Sequence, residues 1–91
     1  MRLETYALDF PTTIATGSPL RCADLITKYI QIANFTGAAV VQGSINGTDF
    51  EDVYTAAAGI AAITPSIVWI RMKRTTGGTG TAHLAGFGRE G

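Results

Sequence analysis

Ninety-one residues allow one domain, and seven Lys and Arg set against seven Asp and Glu leave a formal net charge of zero. That balance argues against nucleic-acid binding by phosphate neutralisation, which calls for a clear positive excess. An apolar content of 46% rules out a disordered tail. The single Cys22 leaves no intrachain disulfide and no paired-cysteine metal or redox motif. A thin core with no staple gains stability by oligomerisation or by binding a larger partner.

The start, Met1-Arg2-Leu3-Glu4-Thr5-Tyr6, has neither the apolar region nor the cleavage pattern of a secretory signal. The longest apolar runs fall far short of the ~20 residues that span a bilayer, so no membrane partner is expected. Tyr6, Leu8 and Phe10 alternate with Ala7 and Asp9, the period of a strand. Pro11 ends it and sets residues 1–11 apart as an N-terminal arm. Thr12 to Thr16 reads as a short extended piece before the Gly17-Ser18-Pro19 turn, and Leu20 to Thr27 as a loop with at most one helical turn.

Lys28 to Ala33 is a strand with Ile30 and Ile32 on one face, Tyr29 and Gln31 on the other. After the Asn34-Phe35-Thr36-Gly37 turn, Ala38 to Ile45 makes the next strand. Asn46-Gly47 then predicts a type I′ hairpin, whose two central residues both take positive φ. The return arm runs from Thr48 to about Thr55. Gly59 to Ile63 reads as strand despite its alanines, because glycine costs a helix interior about 1 kcal/mol. Ile67 to Arg74 places Val68, Ile70 and Met72 on one face and Trp69, Arg71 and Lys73 on the other. Thr75–Thr81 predicts one long, mobile hairpin loop, Thr81 to Phe87 the last strand, and 88–91 a frayed end. Seven or eight short strands in a single domain, residues 1–91, predict an all-β fold, a small antiparallel β-sandwich or jelly roll.

No side chains assemble into a catalytic set, and no cofactor or metal is expected. The run Gly77-Gly78-Thr79-Gly80-Thr81 lacks the third glycine and the following helix of a phosphate cradle. His83, the sole histidine, has no nucleophile or carboxylate signature around it and reads as a strand side chain alternating with Leu84. Cys22 follows Arg21 but has no histidine beside it to take its proton, and reads as a small buried group. Asp49, Glu51 and Asp52 beside the Asn46-Gly47 turn lack the spacing of a calcium loop. The positive charge gathers at Arg71-Met72-Lys73-Arg74, and Trp69, Arg71 and Lys73 share a face suited to an acidic partner surface. With Tyr6 and Phe10 from the arm, these three form the expected partner interface.

Lys28-Tyr29-Ile30-Gln31-Ile32, then Val41-Gln42-Gly43-Ser44-Ile45-Asn46-Gly47-Thr48-Asp49-Phe50, Ala58-Gly59-Ile60, Trp69-Ile70-Arg71-Met72-Lys73 and Thr81-Ala82-His83-Leu84-Ala85-Gly86 follow in order. This series resembles small structural proteins of tailed-bacteriophage virions, including head decoration or cement proteins. The resemblance spans roughly residues 28–87 and implies a non-enzymatic homo-oligomer, made in the host cytoplasm and placed on the capsid surface. Its implied partner is the major capsid protein or another virion protein. The hairpin also resembles the turn of discoidin-like carbohydrate-binding domains, with Asn46 and Phe50 in place of Asp and Trp. That second likeness implies the alternative, a carbohydrate- or receptor-binding module of a tail or fibre with Trp69 or Tyr29 as its aromatic platform.

Overall fold

The regular structure consists of β1 (Arg2–Leu8), β2 (Leu20–Arg21), β3 (Tyr29–Ala33), β4 (Ala38–Ser44), β5 (Glu51–Thr55), β6 (Gly59–Ala62), β7 (Trp69–Thr76) and β8 (Thr81–Gly88). The structure, a computed structural model, describes residues 2–63 and 66–88, without the side chain of Arg2. The strands form two four-stranded antiparallel sheets. One, in the order β1-β8-β3-β6, we call the terminal sheet; the other, β2-β7-β4-β5, the hairpin sheet.

β1 pairs with β8, β2 with β7, β3 with β6 and β4 with β5. Such nesting is that of one long antiparallel hairpin folded over so that its rungs alternate between two layers. The result is a jelly roll. The β-sandwich expectation therefore holds, and the pairing decides between its two forms.

Alternation along the strands supplies the core. In the terminal sheet Leu8, Ile30, Ile32, Ala82 and Leu84 turn inward, and in the hairpin sheet Val41, Ile70 and Met72 meet them. Cys22 and Leu25, from the segment between β2 and β3, complete the packing. Burying such side chains at about 25 cal/mol per Å² is the main favourable term in a chain of this size.

Several expectations are corrected. Residues 2–8 of the segment read as an arm form edge strand β1, paired along its whole length with β8. An inward Tyr6 and a buried Leu8 tie it to the core, which is why it joins the sheet. Leu20–Arg21 is a short strand rather than part of a loop, because both residues pair with β7. The stretch 75–81 is not a hairpin: β7 and β8 lie in different sheets, and the chain crosses between the layers there. It is also pinned, through Gly78 N–H to the Thr12 carbonyl at 3.0 Å and Thr79 N–H to Thr36 Oγ1 at 2.8 Å. Of the end read as frayed, Gly88 closes β8, and 89–91 lie outside the described residues.

Asn46-Gly47 does not form a type I′ turn. Gly47 has φ +79°, whereas Asn34 is the one non-glycine residue with positive φ among those described. Six residues, 45–50, separate β4 from β5. Asn46 organises them with its side chain: its Oδ1 accepts from the N–H groups of Thr48 and Asp49, both at 2.9 Å, and its Nδ2 donates to Asp49 Oδ2. Asn46 closes the loop as an Asx-type cap through its amide, and Gly47 alone of the pair takes left-handed backbone.

Candidate functional site

The five residues expected to meet a partner do not converge. Tyr6 is half-buried against the core. Phe10 stacks with Phe35, ring centroids 5.9 Å apart, and lies 4.4 Å from the guanidinium carbon of Arg74. Trp69, Arg71 and Lys73 do share the outer face of the hairpin sheet, but two of the three are engaged within the chain. The 45–49 loop lies on the Trp69 indole, so closely that a Cβ on Gly47 would stand 2.9 Å from Nε1. Arg71 Nε donates to Gln42 Oε1 at 2.9 Å, and the guanidinium sits 3.8 Å from the centre of the Phe50 ring. Gln42 in turn donates to Asp52. Of the five, Lys73 alone is exposed.

The basic run 71–74 is dispersed by the pleat, since Arg74 falls on the inward face with Ile70 and Met72. It is completely buried. Its guanidinium donates to the carbonyls of Pro11 (2.9 Å), Thr36 (2.5 Å) and Thr79 (2.9 Å), one from each of three loops at that end of the sandwich. The stacked rings of Phe10 and Phe35 both lie against it. Arg74 is thus a tie between loops, and what the sequence offers as one basic patch is three unrelated environments.

A different surface emerges on the terminal sheet. Cross-strand register brings Thr5, Ala85, Tyr29 and Ala62 into one outward row, and Ala7, His83, Gln31 and Ile60 into the next. Leu3 and Phe87 are paired beyond them. Ile60 is 71% exposed and Leu3 60%, with Tyr29 and Phe87 both above 40%, which places four large apolar groups in water on one face. Among the described residues this face carries no Asp, Glu, Lys or Arg. A groove of about 430 Å³ runs across it, lined by Thr5, Tyr29, Gln31, Ile60, His83 and Ala85 with Ile30 at its floor. Single exposed apolar residues are ordinary, but a charge-free set on one sheet face makes this the candidate contact surface.

Sequence reasoning placed the interface on the other sheet because it followed charge and tryptophan. A signal was nevertheless present: residues 29–48, 53–70 and 75–88 contain no charged side chain. Strands drawn from such stretches have nothing but neutral groups for both faces.

The residues weighed for chemistry remain apart. His83 is exposed on the outer face of β8, and Leu84 points inward, as the alternation predicts. Cys22 is fully buried, its Sγ 3.8 Å from the Ile67 carbonyl. Among the described residues no three His, Cys, Asp or Glu side chains gather as metal ligands. Burial pushes the Cys22 thiol above its ordinary range, with Lys28 a smaller opposing influence. A raised thiol keeps its proton in the folded chain after the unfolded chain has lost it. Stability from this source is therefore intact below the ordinary thiol range and lost as pH rises through the folded value. Urea denaturation from neutral to alkaline pH should show a steeper loss for the native sequence than for Cys22→Ala. Parallel curves would contradict this account.

No family model matches the chain, and neither a curated protein nor a solved structure matches it.

Proposed function

We propose that this protein is a non-enzymatic structural component of a tailed-bacteriophage virion, a capsid decoration protein that binds the assembled shell as an oligomer. The observation that carries this reading is the charge-free apolar face of the terminal sheet, a surface suited to protein assembly and ill suited to a charged ligand. Two further supports are the ordered resemblance of residues 28–87 to virion proteins and the jelly roll itself. The jelly roll recurs in viral capsid domains, a likeness at the level of fold only. The partner would be the major capsid protein or another virion protein, and a repeated lattice would let many modest contacts act together.

Mixing the purified chain with preassembled capsids of the encoding phage and pelleting them tests the reading. Saturable co-sedimentation is expected. Protein left wholly in the supernatant would overturn it.

Tyr29 beside the groove favours one second reading, a carbohydrate- or receptor-binding module of a tail or fibre. An exposed ring next to Gln31, Thr5 and His83 offers both a stacking plane and hydrogen-bonding groups to a sugar. A glycan screen whose hits vanish with Tyr29→Ala would favour it over decoration.

A further inference from the structure

We infer that the outer face of the terminal sheet packs against the same face of a second copy of this chain. The inference rests on the assembly reading above and names the occupant of its surface. Three observations select a copy over another partner.

The first is charge. A partner bringing a charged group here would bury it opposite neutral side chains, with nothing to pair it. The face itself is neutral among the described residues, so an identical face meets this requirement at every position.

The second is area. Leu3, Tyr29, Ile60 and Phe87 together leave about 400 Å² bare, taking ~200 Å² for a large side chain in full exposure. That matches the ~300–600 Å² of the largest patch on a typical monomer, which is often a functional one, and is about half the ~800 Å² per partner of a stable interface. The smaller outward residues Thr5, Ala7, Ala62, His83 and Ala85 lie between the large ones and supply much of the remainder.

The third is shape. The face carries the exposed Leu3–Phe87 pair, taken here as the projection, beside a groove of about 430 Å³ that neither residue lines. In a two-fold dimer each copy offers the same patch to the other, so a feature and its counterpart must both be present on one surface. Here the Phe87 ring of each copy seats in the groove of its partner, and the two terminal sheets stack about 10 Å apart as sheets do in a sandwich. The hairpin sheet of each copy remains outward, with Lys73 and the loop ends available to a shell.

Sedimentation equilibrium of the full chain at about 100 µM, well above a micromolar Kd, is the test. Twice the chain mass is expected. Phe87→Lys changes the projection and Ile60→Lys the groove rim; both sites are solvent-exposed, and each substitution should weaken association about 100-fold or more. Ile14→Lys, on an equally exposed isoleucine in the β1–β2 connection, should leave the dimer intact. A monomeric native chain would overturn the inference, as would an oligomer that survives both face substitutions in variants with native circular dichroism. Capsid pelleting separates the two proposals. A monomer that pellets refutes the dimer alone, and a dimer that stays in the supernatant refutes decoration alone.

Discussion

Replacing Arg74 with alanine is expected to destabilise the protein by about 4 kcal/mol, a large part of the ~5–14 kcal/mol available to a domain of this size. The guanidinium is buried and spends its donors on the carbonyls of Pro11, Thr36 and Thr79. Removing it takes a donor from all three carbonyls, of which only that of Thr79 keeps a second partner, the Thr36 N–H, and it leaves a void beside the Phe10–Phe35 pair. Arg74→Lys keeps the charge but loses the planar fork that reaches three carbonyls at once, so it should recover less than half of the loss. Urea denaturation of the three proteins measures this. A cost below about 1 kcal/mol for alanine would mean that the three loops hold without their common tie.

A methyl group at Gly86 should cost about 3 kcal/mol, at the upper end of ordinary overpacking. Gly86 turns inward on β8, and the backbone carbonyl of Thr27 occupies the place where its Cβ would stand. Backbone cannot swing aside as a side-chain end can. This stretch is moreover stitched to β8 by Ile26 N–H to the Phe87 carbonyl at 2.9 Å and by the Leu25–Gly88 bridge. Gly86→Ala must push the 23–28 segment outward and unseat buried Leu25 with it. Thermal and urea unfolding should report the loss, and amide exchange should quicken at Ile26 and Phe87. Native-like stability in this variant would show that the segment moves freely. Gly59 provides the contrast, since a Cβ there would meet nothing within 4 Å, although its φ of +122° still disfavours a side chain.

Both positions lie in stretches that sequence reasoning read in part. Alternation is a local property of the pleat, so Ile30, Ile32, Ile70, Met72 and Leu84 were legible as inward residues before any pairing was known. The all-β class, the separation of His83 from Leu84 and the burial of Cys22 follow from the same local rules. Turn type was less legible: Asn46-Gly47 signals a turn, but the hydrogen bonds of the Asn46 amide and the contact of Gly47 with Trp69 decide which loop forms.

Length limits these ninety-one residues to one small domain, and hydrophobic period set its strands. Which strands pair, and so which faces meet water, belonged to tertiary structure alone. Arg74 shows the reason. Alternation puts it on the face of Ile70 and Met72, but adjacent to Lys73 and three residues from Arg71 it is indistinguishable from them by type. Its burial depends on three loops arriving from 11, 36 and 79 to satisfy it. The neutral face shows the same for association. Net charge zero comes from seven basic against seven acidic side chains, and none of those described lies in the outer rows of β1, β8, β3 and β6, which the register brings together from opposite ends of the chain. Residue type and period are local; register and loop closure are long-range, and they decide where this chain's charges go.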